Sequence, residues 1–148
     1  MATTESQTPR WCSGFIALGA FSAAVSVMAA AYAAHGQSLN GSSPAMVQSA
    51  VHLMQFHALG LILVGILGNF KPHEKRLLVA GVLFILGNVL FSVNILLRAW
   101  QDVQTFKALV PWGGTCFILG WLALALAYVR KIKTVKPPQV TESGDQTH

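Results

Sequence analysis

His57 is the residue of this sequence best placed to do chemistry. It lies within Ala50–Phe70, AVHLMQFHALGLILVGILGNF, a stretch without Asp, Glu, Lys or Arg. An imidazole surrounded by apolar residues has three uses: relaying protons, ligating haem or a metal ion, or serving as a neutral hydrogen-bonding group. His35 could join it. It closes an earlier apolar stretch in Ala34-His35-Gly36, where the glycine suits a helix C-cap. Asn88 and Ser92 add an amide and a hydroxyl inside a third stretch, so His35, His57, Asn88 and Ser92 form the candidate polar site. His52 and His73 read as interfacial and solvent residues.

The elements that must position these groups follow from composition. Of 148 residues, 53% are apolar and only 10% are charged. Charged residues make up about a quarter of an ordinary soluble domain, so a membrane protein is expected. Four apolar stretches, 12–34, 50–70, 77–97 and 108–129, each have about the 20 residues that a helix needs to cross hydrocarbon. The expected fold is all-α, an integral membrane four-helix bundle. Residues 1–11 are expected to form a polar, disordered tail and 130–148 a basic, then flexible, one. Ala31-Tyr32-Ala33 has the form of a signal-peptide cleavage site, but the apolar run before it is longer than a signal usually carries.

Charge gives the orientation. Arg10, Lys71, Lys75, Arg76, Arg130, Lys131, Lys133 and Lys136 flank one side, whereas only Arg98 and Lys107 flank the other. The positive-inside rule then places both termini in the cytoplasm. The net charge of +5 sits at helix ends and not in an aromatic-interleaved patch. That arrangement suits anionic lipid headgroups on the cytoplasmic side and excludes nucleic acid as a partner. Cys12 and Cys116 belong to opposite halves of the bilayer and are expected to be free thiols.

Small residues at spacings of three and four mark where transmembrane helices approach closely. Gly19, Ser22, Ser26, Ala30 and Ala33 make such a stripe on the first helix. Gly81, Asn88, Ser92 and Ala99 make one on the third, and Gly113, Cys116, Gly120, Ala123 and Ala127 one on the fourth. Asn88 and Ser92 are costly against lipid, so their stripe should point inward and hydrogen-bond across helices. On the second helix Leu59, Ile62, Leu63, Ile66 and Phe70 share the lipid face, with Gln48, His52 and Gln55 above them. His57 lies opposite, over Gly60, Leu61, Val64 and Gly68, about 10 Å below the outer end of the helix at 1.5 Å per residue.

Several of these residues stand in the order and spacing of a known family. They are Ala33-Ala34-His35-Gly36, Ala50-Val51, His57-Ala58-Leu59, Ala80-Gly81, Leu90-Phe91-Ser92, Pro111-Trp112-Gly113-Gly114, Phe117-Ile118 and Gly120-Trp121. From about residue 14 to 129 the chain resembles the YgdD/YwdK-like small membrane proteins, catalogued as domain of unknown function family four-two-three. The resemblance implies a four-helix protein of the bacterial plasma (inner) membrane without an established activity. It adds weight to His35 and His57, and to Gly113, Gly114 and Trp121 as packing residues beside Gly81 and Gly120. Two departures stand out: Leu53-Met54 replaces a Tyr-Gln pair, and Val93-Asn94-Ile95-Leu96 replaces Gly-Ser-Leu-Tyr.

Three functions fit this chain. The first is a structural, stabilising or assembly component packed against another membrane protein or a second copy. The second is a haem or metal protein using His35 and His57, and the third a small-solute or proton transporter. Almost no charge lies inside the membrane and no hydrolase, kinase or nucleotide motif is present, since Gly113-Gly114 lacks the surrounding phosphate-binding pattern. The expectation is the first: not an enzyme, and without a cofactor.

Overall fold

The computed structural model describes residues 9–35, 42–101 and 107–129. Among them four helices are long and apolar enough to cross a membrane: α1 (Arg10–Ala34), α2 (Pro44–Phe70), α3 (Lys75–Gln101) and α4 (Val110–Tyr128). The expected tails, except Pro9 to Trp11, and most of the first and third connections lie outside the described residues.

Local chemistry sets the helix starts. Ser43 caps α2, its hydroxyl accepting from the Met46 N–H at 3.2 Å, and Pro44 occupies the first turn, where its missing N–H costs nothing. The helix therefore begins six residues before the apolar run that signalled it. Glu74 caps α3 by accepting from the Arg76 N–H at 3.3 Å. A 3₁₀ turn, Lys107–Leu109, leads into α4, which carries Pro111 in its first turn. Within α3 the backbone widens into a π segment over Asn88–Val93, a feature that no hydrophobic period signals.

The helices pack as neighbours in chain order, α1 chiefly on α2 and α4 chiefly on α3, with α2 and α3 joining the pairs. Close backbone approach holds α1 to α2. A Cβ on Gly19 would stand 2.8 Å from the Ala58 carbonyl oxygen, and one on Gly65 2.7 Å from that of Cys12. The stripe on α1 is buried at Gly19, Ser22 and Ser26 and continues through Ala29. Leu59, Leu63, Ile66 and Phe70 are exposed as expected, but Ile62 is half-buried because it covers Gly19.

α4 is rotated relative to the expected stripe. Gly113, Gly120 and Ala127 face inward, but Phe117 and Leu124 share that face while Cys116 and Ala123 are only half-buried. Burying a phenyl ring and a leucine gains more contact than burying a thiol and a methyl group, and the glycines flanking Phe117 leave room for the turn. Both cysteines are free thiols.

The core has two parts. Phe15, Leu61, Val64, Leu77, Phe84 and Phe117 belong to one, and Ala29, Val47, Val51, Met54, Leu96 and Ala99 to the other. One end of the bundle is basic. There Trp11 meets Gly68, Lys71 Nζ donates to the Ala127 carbonyl at 3.3 Å and lies 3.6 Å from the Tyr128 ring centre, and Arg76 Nη1 donates to the Leu126 carbonyl at 2.6 Å. Two cations thus satisfy the last carbonyls of α4, groups a helix leaves unpaired at its C-terminus.

Candidate functional site

His57 is the midpoint of α2, with thirteen residues on either side in a helix of 27. At 1.5 Å per residue it lies about 20 Å from each end of the helix. This is deeper than expected, because α2 starts at Pro44. The side chain is 3% exposed.

Both ring nitrogens are engaged. Nδ1 lies 2.7 Å from the carbonyl oxygen of Leu53, one turn back on the same helix. A carbonyl can only accept, so Nδ1 carries the proton and donates it. Nε2 then holds a lone pair, and it accepts the indole N–H of Trp121 at 3.1 Å. These two bonds assign the neutral Nδ1–H tautomer. The ring stacks on Phe117 with centroids 3.5 Å apart and planes 11° apart, while Phe56 and Phe84 stand at 5.4 Å.

α4 supplies most of this enclosure. Phe117 and Trp121 are four residues apart and so share one face of the helix. Gly120, between them, lets that face come down onto α3: a Cβ there would stand 2.7 Å from the Phe84 ring. Gly60 does the same from α2, since a Cβ there would meet the Phe84 and Trp121 rings at 3.2 and 3.4 Å. Trp121 is therefore more than a packing residue: it is the hydrogen-bond donor to His57. Phe117 and Phe84 were not among the candidate residues, although the four-residue spacing of Phe117 and Trp121 was a usable signal.

The four expected polar residues do not form one site. His35 is exposed at the C-cap of α1, its N–H donating to the Tyr32 carbonyl. Gly19 of α1 packs level with Ala58, so His35 stands about 16 residues, or about 24 Å, away from the level of His57. The two imidazoles cannot ligate one haem or metal ion. Nor is a lone pair of His57 free for ligation, because the Trp121 N–H occupies it. Asn88 and Ser92 are buried as expected, 6% and 0% exposed. The expected cross-helix hydrogen bonds are not made, however: Asn88 Oδ1 and Ser92 Oγ have no partner among the described residues.

The packing glycines also divide. Gly81 fits against the Phe15 ring, and a Cβ on Gly113 would lie 2.6 Å from the Phe91 nitrogen. Gly114 has nothing within 4 Å of its Cβ position, so it is not a packing residue. A step of one residue rotates the side-chain direction by about 100° and takes Gly114 off the inward face.

Comparison with known proteins agrees with this architecture. The family described as protein of unknown function (DUF423) matches residues 29–114. A UPF0382 membrane protein of Staphylococcus haemolyticus is 34% identical over 115 residues, covering 76% of this chain and 93% of its own. The UPF0382 membrane protein YwdK of Bacillus subtilis is 32% identical over 120 residues, covering 78% and 96%. No solved structure matches. With four membrane-spanning helices and this likeness along most of its length, the chain belongs to the family of membrane proteins of unknown function, DUF423.

Proposed function

We propose that this protein is a non-catalytic structural or assembly component of the bacterial plasma membrane, a small bundle that packs against another membrane protein. The observation that carries this reading is the outer face of α1. Ser13, Ala17, Ala20, Ala24 and Ala31 recur there at spacings of three, four and seven, and all are exposed on the bundle. Such a stripe lets a second helix approach closely in lipid. α1 therefore has small residues on two faces, one used against α2 and one available to a partner. The closed environment of His57 supports the non-catalytic part of the reading, because both nitrogens are already committed inside the bundle. The basic end is the cytoplasmic one in this reading, where exposed Arg10 and Lys75 meet anionic headgroups.

The experiment is purification of the tagged protein in mild detergent beside an Ala20→Leu/Ala24→Leu variant. A stoichiometric membrane-protein partner is expected with the wild type. It should be lost from the variant, whose thermal unfolding stays unchanged. A partner retained equally by both, a Soret absorbance, or solute flux through vesicles holding the protein alone would overturn the reading.

A further inference from the structure

Between α1 and α3, on a floor formed by α2, lies a groove of about 220 Å³ that opens toward the lipid. Leu18 and Val25 of α1, Met54 and Leu61 of α2, and Ile85 and Val93 of α3 line it. Two polar side chains also reach it, Ser22 and Asn88, only 8% and 6% exposed. Asn88 Oδ1 is buried without a hydrogen-bond partner among the described residues, and the π segment of α3 begins at this residue. Wide turns of this kind often accompany functional sites.

Depth restricts what can meet these groups. Ser22 has twelve residues on either side in α1, and Asn88 thirteen on either side in α3, so each is the midpoint of its helix. Hydrocarbon extends about 15 Å from the middle of a bilayer to its polar regions, so the headgroup and ester groups of a phospholipid stay out of reach. Acyl chains have no hydrogen-bond donor. An acceptor left unpaired in this medium is expensive, so a molecule that brings a donor to it gains selectively over one that does not. The space is sufficient for a ring, since apolar cavities of about 150 Å³ take up benzene.

We propose that this groove binds a neutral, lipid-soluble molecule with an apolar body and a single hydroxyl group, its O–H donating to Asn88 Oδ1, which turns from its enclosed position to face the groove beside Ser22. The body lies against Leu18, Val25, Ile85 and Val93, and any longer tail leaves through the open side into lipid. The site is separate from the outer stripe of α1 and does not depend on a protein partner.

The probe is a decylphenol carrying a diazirine in its chain, applied to the full-length protein in phosphatidylethanolamine/phosphatidylglycerol nanodiscs. Its methyl ether and the corresponding decylbenzene are the comparisons. The phenol should label the segments 18–25 and 85–93 at concentrations at least about tenfold lower than either comparison, as expected for one unpaired buried polar group. Displacement by unlabelled decylphenol at a lower concentration than decanol assigns the natural ligand to ring hydroxyls, and the reverse order to chain alcohols. In Asn88→Leu the phenol should fall to the level of its ether. Equal labelling by all three probes in the wild type would overturn the proposal, and this comparison does not depend on any variant folding. Labelling confined to other segments, or an unchanged phenol preference in Asn88→Leu, would overturn it as well.

Discussion

The indole N–H of Trp121 donates to Nε2 of His57 at 3.1 Å, joining two residues 64 positions apart at mid-membrane depth. The bond explains how an imidazole stays neutral and fully paired in an apolar bundle. It also makes the two residues one energetic unit. Trp121→Phe leaves Nε2 without a donor, and His57→Leu leaves the indole N–H without an acceptor, each at a cost of about 1–3 kcal/mol. The double variant should lose less than the sum of the two single losses. Thermal unfolding in detergent measures all three, and strict additivity would mean that the bond contributes nothing.

His57→Gln should retain more folded protein than His57→Leu. An amide still offers one donor toward the Leu53 carbonyl and one acceptor toward Trp121, whereas leucine offers neither. Membrane-fraction abundance is the readout. Equal abundance of Gln and Leu variants would remove hydrogen bonding from the account of this residue.

The tautomer can be observed directly. Nitrogen-15 spectra of histidine-labelled protein at neutral pH should show His57 with a protonated Nδ1 and a bare Nε2. The Nε2 resonance should move in Trp121→Phe, because its donor is gone. A protonated Nε2 with a bare Nδ1 would rule out both hydrogen bonds, since the Leu53 carbonyl cannot donate and the indole N–H cannot accept.

Gly120 and Gly114 offer a test of packing within a single helix. Gly120→Leu forces a branched side chain onto the Phe84 ring and should cost about 1–3 kcal/mol, lowering the thermal midpoint. Gly114→Leu should leave it nearly unchanged, because no atom beyond its own stretch of helix lies within 4 Å of its Cβ position. Similar losses at both positions would show that α4 is rotated differently about its axis.

Orientation is accessible by labelling. With both native cysteines removed, single cysteines at Ser38 and Thr105 should react with an impermeant reagent outside intact cells, and one at His73 should not. Labelling at His73 alone would invert the bundle.

Transmembrane class, four spans and the inward direction of His57 were legible in the sequence, because they depend only on local properties: charge-free length, composition and the 3.6-residue period. The same period identified Gly19, Gly81, Gly113 and Gly120 as contact points, since a missing side chain is itself the signal of close approach. The start of α2 was also written locally, in Ser43-Pro44, but an apolar run reports the hydrocarbon-crossing part of a helix and not its capped end. Tertiary structure alone decided what His57 bonds to. Periodicity defines a face, but the residue met there depends on the height and rotation of the facing helix. Those are set by contacts such as Gly60 against Phe84 and Trp121, between residues far apart in the chain. The turn of α4 that buries Phe117 and Leu124, and the π segment over Asn88–Val93, where Asn88 Oδ1 and Ser92 Oγ have no partner among the described residues, arise in the same way. Each is the outcome of fitting whole side chains into a shared interior, where the best-packed arrangement prevails over the pattern of any one helix.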